Sequence, residues 1–206
     1  AQNMNLNRDF MKLDAPEGKA TAKLWVEYDP HVGFDLHTSD GSTHGYYLTY
    51  SPPLHPNTSA TIMSIMKDEW FPFVTKQVKA KTGWNTFYYG NVEGGGRGGR
   101  AAAPAGPRAW GTFEHVPRFH NNYVGMRNRF ALLSEAYSYA TFEDRIKATN
   151  YFMEEALTFA HQNAQKLKNA VAAAGKISRR RRAAPRGPTR DRGPRSRSGS
   201  ASRRRR

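Results

Sequence analysis

Three places in this 206-residue sequence bring together residue types that can do chemistry. The first is Asp35-Leu36-His37, which ends an apolar segment and leads into a loop rich in Gly, Ser and Thr. An imidazole at the end of a strand can present a ring nitrogen to a metal ion or a substrate. The alternative is a histidine that caps or hydrogen-bonds the loop that follows, and both interpretations apply also to His44 in that loop.

The second place is Glu135, at the end of the apolar run FALLSE. A buried carboxylate without a partner costs free energy. Glu135 therefore either pairs with an arginine that is near in sequence, Arg127 or Arg129, or acts as a base of raised pKa in a cleft.

The third place is the dipeptide Asn7-Arg8. An arginine can hold a carboxylate through two parallel hydrogen bonds, and a neighbouring asparagine amide adds a further donor. The alternative is a solvated arginine in a surface loop.

The elements that would position these side chains alternate between helix and strand. Pro16 and Glu17 are typical of a helix start, and Thr141 followed by two acids is typical of another. This pattern predicts an α/β fold in which helices cover a sheet. The predicted order is a helix over 16–28, a strand over 31–37, a long irregular loop over 38–57, a helix over 58–82 that is kinked or divided at Pro72, a strand over 85–89, a strand over 130–135 and a helix over 141–174.

The positive charge is concentrated at the C-terminal end. The chain has 32 Lys and Arg against 17 Asp and Glu, a net charge of +15, of which residues 179–206 contribute +12 through 13 Arg and one Asp. That segment lacks core-forming residues, so a disordered Arg-rich tail is predicted over 176–206. The segment 94–108 (GGGRGGRAAAPAGPR) consists mostly of Gly, Ala, Pro and Arg, and this low complexity predicts an insertion in a loop.

Cysteine and membrane signals are both lacking. Without cysteine there are no disulfides and no thiolate ligands, so a metal site would have to use His, Asp or Glu. No apolar run approaches the roughly 18 residues that a membrane span needs.

Three segments together resemble the zinc carboxypeptidases of the carboxypeptidase A type, particularly their bacterial relatives. They are MNLNRDFMKLDAPE, VGFDLHTSDGSTHGYYLTYSPPLHPNTS and PRFHNNYVGMRNRFALLSEAYSYATFEDRI. They occur in the order of the family and cover much of residues 3–160.

The resemblance implies a Zn²⁺-dependent metallocarboxypeptidase that hydrolyses C-terminal peptide bonds. His37 matches the third zinc ligand of the family. Glu135 matches the general base, which takes a proton from the zinc-bound water and gives it to the leaving amine.

The resemblance also implies how a peptide or protein C-terminus would bind. Asn7 and Arg8 match the pair that grips the terminal carboxylate. Tyr123 and Arg127 lie in a stretch that contributes substrate contacts in this family.

The sequence departs from the family at the other two zinc ligands. These come from an H-x-x-E motif upstream of Asn-Arg, but only six residues precede Asn7 and no H-x-x-E occurs in the sequence. A catalytic zinc takes about three protein ligands. We therefore expect the chain as given to be an inactive C-terminal portion of such a catalytic domain over 1–175, with an incomplete carboxypeptidase-like mixed sheet flanked by helices.

Two other functions remain open at this point. Arg-rich segments bind phosphates non-specifically and salt-dependently, so residues 179–206 could make this a nucleic-acid or acidic-surface binding protein. A pseudoenzyme could also bind peptide C-termini through Asn7 and Arg8 without cleaving them.

Overall fold

The computed structural model describes residues 3–92 and 109–183, with side chains as far as residue 177. The helices are α1 (Pro16–Glu27), α2 (Ala60–Ser64), α3 (Phe71–Thr82), α4 (His120–Met126), α5 (Phe142–Gln162) and α6 (Ala164–Ala183). The strands are β1 (Val32–Thr38), β2 (Leu48–Ser51), β3 (Thr86–Tyr88), β4 (Asn91–Val92), β5 (Trp110–Gly111) and β6 (Phe130–Ala136). A 3-10 turn covers Leu6–Arg8, and a π-helical segment, Ile65–Trp70, joins α2 to α3.

The centre of the fold is a mixed four-stranded sheet in the order β1-β6-β2-β3. β1 runs parallel to β6, β6 runs antiparallel to β2, and β2 runs parallel to β3. β4 and β5 form a separate antiparallel pair. The predicted α/β class is confirmed.

The two faces of the sheet are covered differently because side chains alternate along each strand. Phe130 and Leu132 of β6 belong to the main core, together with residues of α3, α5 and α6. Ala131, between them, points to the opposite face and packs with Trp25 of α1 and Val124 of α4. Leu133 and Glu135 continue on this second face, so the candidate site lies on the side of α1 and α4.

The helix that runs from α2 through the π-helical segment into α3 carries one fully buried stripe. Its members recur at every fourth residue: Ile62, Met66, Trp70, Val74 and Val78. Four residues exceed one α-helical turn by about 40°, so over four such steps a uniform α-helix would turn this stripe roughly 160° away from the sheet. A π-helical turn contains more residues and keeps the stripe directed at the core.

Pro72 explains the position of this change in winding. It lies in the first turn of α3 and has no N–H to donate to the carbonyl of Asp68, four residues earlier. The prediction of a kink or a division near Pro72 thus corresponds to the two α-helices separated by the π-helical segment.

Other boundaries differ from the predictions. The last helix was predicted as one element to Ala174, but it breaks at Asn163, and α6 continues through Gly175 to Ala183. β2 lies within the predicted loop. The disordered tail was predicted to begin at residue 176, but residues 176–183 are helical and belong to α6. Residues 184–206 and the low-complexity insertion at 94–108 lie outside the described residues. Of the described helices, none combines the length and the apolar character that crossing a membrane requires.

Two phenylalanines of α5 provide a test of this core assignment. Phe152 is fully buried near Tyr50, whereas Phe142 is 72% exposed. We expect Phe152→Ala to lower the free energy of unfolding by about 3–5 kcal/mol, because it removes apolar contacts and leaves a cavity. Phe142→Ala should change it by no more than about 0.5 kcal/mol. Urea unfolding measures both, and equal losses would contradict the assignment of the core-facing side of α5.

Candidate functional site

The candidate site begins with a row of side chains across three strands. His37 of β1 is the register partner of Glu135 of β6. Thr49 of β2 is the partner of Glu135 on its other side. Paired residues project from the same face of a sheet, so the imidazole and the carboxyl group lie next to each other on the second face.

This row opens into a pocket of about 340 Å³, including the space at its mouth. Four of the six predicted site residues line this one pocket, although they come from positions as far apart in sequence as Asn7 and Glu135. The lining residues are Asn7, Arg8, Asp35, His37, Tyr89, Phe113, Phe119, Asn121, Leu133 and Glu135.

Arg8 is held by the turn that contains it. The buried carboxylate of Asp9 accepts hydrogen bonds from the backbone N–H groups of Asp14 and Ala15, both at 3.0 Å, and so ties the turn to the start of α1. The Arg8 guanidinium lies over the ring of Phe119, 4.2 Å from its centroid. One of its nitrogens donates to the carbonyl of Asn7 at 2.9 Å. No acidic side chain of the described residues forms an ion pair with Arg8, so its charge is available to an anion.

His37 is oriented by Asp35, which lies two residues earlier on the same face of β1. Its Nε2 is 2.8 Å from Asp35 Oδ1. Burial alone would raise the pKa of Asp35, but the interactions with His120 and His37 outweigh it and lower that pKa. The hydrogen bond to Asp35 in turn raises the pKa of His37, with burial opposing it. Because Nε2 is occupied, Nδ1 is the ring nitrogen left for a ligand.

Glu135 has an unusual protonation equilibrium. Burial raises its pKa to about 7, even though the positive charges of His37 and Arg8 favour the carboxylate. A carboxyl group with a pKa near neutrality can both accept and release a proton.

The structure decides between the two interpretations of Glu135 that the sequence allowed. Arg129 pairs with Asp29, and Arg127 donates to the carbonyl of Trp25 at 3.0 Å. Neither arginine contacts Glu135, so a structural ion pair with them is ruled out.

Two predicted substrate-contact residues, Tyr123 and Arg127, do not line the pocket. Tyr123 packs against the ring of Phe10, with centroids 5.3 Å apart. On α4, Asn121 faces the pocket, and a residue two positions further is rotated by about 200°. Tyr123 is therefore directed elsewhere, and Arg127 follows at the end of the helix.

His44, the other candidate of the sequence, lies in an aromatic cluster outside the pocket lining. Its Nδ1 accepts the backbone N–H of Tyr46 at 3.3 Å, and its ring lies 4.8 Å from that of Tyr137. Burial lowers the pKa of His44. This arrangement matches the hydrogen-bonding interpretation.

Sequence reasoning missed several lining residues. Leu133 could have been found, because it lies two positions before Glu135 on a strand. Phe113 and Phe119 lie in an irregular segment without a period, and nothing local marks them. Asn121 is buried and donates to the carbonyl of Pro52 at 3.1 Å, which anchors one wall of the pocket.

No protein-family model, curated protein or solved structure matches this chain.

The resemblance to zinc carboxypeptidases predicted a Zn²⁺ ion with His37 as one of its ligands. Within residues 3–92 and 109–183, no group of three or more His, Asp and Glu side chains could hold a metal ion. A catalytic zinc takes three protein ligands. The described residues offer His37 from the expected set and do not fit a complete zinc site.

The raised pKa of Glu135 has a consequence for stability. Its ordinary value is 4.5 and its folded value about 7, so between these pH values the folded chain binds more protons than the unfolded chain. This contribution to stability is present below pH 4.5 and is lost as the pH rises through 7. We expect Glu135→Gln to raise the free energy of unfolding relative to the wild type at pH 8, by about 3 kcal/mol, and to have little effect at pH 4.

Denaturant unfolding of both proteins at the two pH values measures this difference. Glu27→Gln on α1 is the matched control, since Glu27 is exposed and, among the described residues, pairs only with Lys23 one turn away. The same effect of Glu135→Gln at pH 4 and pH 8 would contradict the raised pKa.

Proposed function

We propose that the pocket recognises the C-terminal carboxylate of peptides and belongs to an active site of the metallocarboxypeptidase type. The observation that carries this proposal is the convergence of Asn7 and Arg8 with His37 and Glu135 on one pocket. An anion-binding group and a proton-transferring group next to each other suit a substrate whose scissile bond lies close to a carboxylate.

Arg8 would provide most of the recognition. A guanidinium binds a carboxylate through two parallel charge-assisted hydrogen bonds, which fix its orientation as well as its charge. Stacking on Phe119 holds the guanidinium plane before a ligand arrives, and this lowers the entropy lost on binding. The amide of Asn7 supplies a further donor at the same side of the pocket.

Glu135 would carry the proton transfer. A carboxylate held on Arg8 brings the last peptide bond of the substrate into the pocket that Glu135 lines. With a pKa of about 7, Glu135 can take a proton from water and return it to the departing amine.

The zinc-dependent part of the activity rests on the resemblance alone. Zinc would polarise the peptide carbonyl and activate water, but the described residues do not complete its ligand set. Recognition of the peptide C-terminus is the function that the described residues can perform by themselves, and it can be tested directly.

The test compares a fluorescent peptide bearing a free C-terminus with the same peptide as its C-terminal amide. The peptide contains no Asp or Glu, so its terminal carboxylate is its only acidic group. We expect the acid to bind more tightly than the amide. Arg8→Gln should weaken binding of the acid by about 10- to 100-fold, because it removes a charge-assisted hydrogen bond. Fluorescence anisotropy measures each affinity.

Arg145→Gln is the matched control. Arg145 lies on α5 against Phe142, outside the pocket lining, and its loss should leave both affinities unchanged. Equal binding of acid and amide by the wild type, or equal losses in the two variants, would refute the proposal.

A further inference from the structure

We propose that Trp25 and His120 are positioning residues of the pocket, which act through Asp35 to fix the tautomer and orientation of His37. This inference rests on the proposed function, because it concerns how His37 meets a ligand in the same pocket. It assigns a role to two residues that do not line the pocket.

The first link joins Trp25 to His120 across the second face of the sheet. The indole Nε1 of Trp25 lies 3.1 Å from Nε2 of His120. An indole nitrogen only donates hydrogen bonds, so Nε2 of His120 must accept. A neutral His120 therefore carries its proton on Nδ1.

The second link joins His120 to Asp35. Nδ1 of His120 lies 3.6 Å from Oδ2 of Asp35 and has no closer hydrogen-bond partner among the described residues. That distance is longer than a hydrogen bond, so the interaction is an electrostatic contact between an N–H group and a carboxylate oxygen.

The third link joins Asp35 to His37. The other oxygen of Asp35, Oδ1, is 2.8 Å from Nε2 of His37. An ionised carboxylate only accepts, so Nε2 of His37 donates and carries a proton. The remaining nitrogen of a neutral His37, Nδ1, is then an acceptor for a ligand. Each oxygen of Asp35 thus faces a different imidazole.

Tight packing holds this chain of contacts in place. Trp25 is 4% exposed and His120 is 9% exposed. A Cβ atom at Gly33 would come within 2.5 Å of the Trp25 ring, so β1 lies directly against the indole. On its other side, His120 packs against Phe10 with ring centroids 4.9 Å apart. The His120 ring cannot rotate without moving one of these neighbours, and it therefore limits where Asp35 and His37 can lie.

The wild-type chain provides the primary test, because NMR of ¹⁵N-histidine shows which ring nitrogen carries the proton. At alkaline pH, where the imidazoles are neutral, we expect His120 to be protonated on Nδ1 and His37 on Nε2. A His120 protonated on Nε2, or a His37 protonated on Nδ1, would overturn the proposal.

Trp25→Phe then tests whether Trp25 controls the tautomer of His120, since the substitution keeps an aromatic ring and removes the indole N–H donor. We expect His120 to become a mixture of tautomers and the affinity for the free-acid peptide to fall by about three- to ten-fold, as for the loss of one hydrogen bond. Trp84→Phe is the control: Trp84 stacks on Tyr47 outside the pocket and its replacement should change neither quantity.

The two proposals fail separately in this design. Unchanged His120 and His37 tautomers in Trp25→Phe would overturn the positioning role even if the peptide binds. If the wild type binds no peptide, the proposed function fails, and the tautomers of the wild type and of Trp25→Phe still decide whether the positioning network exists.

Discussion

The parallel pairing of β1 with β6 is the constraint on which the pocket depends. It sets His37 beside Glu135 and Asp35 beside Leu133. A slip of one residue would send one side of each pair to the opposite face of the sheet. Large apolar residues of β6 oppose such a slip, because Phe130 is fully buried in the core on the first face. The polar site is thus fixed by the apolar residues that alternate with it.

Burying polar groups in this way is costly, and the structure offsets the cost at each position differently. Asp35 is ionised because two imidazoles surround it, whereas Glu135 responds to burial by holding its proton more tightly. Asp9 uses both of its oxygens to cap the backbone before α1. Asp35 and Glu135 therefore differ in charge state, and the difference comes from their surroundings.

Sequence patterns predicted the parts of the fold in which a signal is local. The start of α1 at Pro16, the apolar run of β6 and the left-handed Gly83 that ends α3 were all visible in the sequence. β2 was missed because LTYS is short and lies in a segment rich in Tyr, Ser and Pro. The break at Asn163 was missed because the helical spacing of apolar residues continues past it.

In the site, too, residues with a local sequence signal were predicted and contacts between distant positions were not. Asn7, Arg8, His37 and Glu135 were predicted from their residue types and from the resemblance, and they line one pocket. The contact between Trp25 and His120 joins positions 95 residues apart, and no pattern near either residue signals it. Tyr123 does not line the pocket, and its direction depends on the start of α4, a helix that was not predicted.

The buried stripe at every fourth residue between Ile62 and Val78 makes chain length critical in this helix. Any insertion or deletion of one residue between two stripe positions would rotate all later side chains by about 100° relative to the earlier ones. The apolar residues of α2 and α3 could then no longer face the sheet together. Exchanges of one apolar residue for another should be tolerated far better here than a change in residue number, and related chains are expected to keep the spacing more strictly than the amino acids themselves.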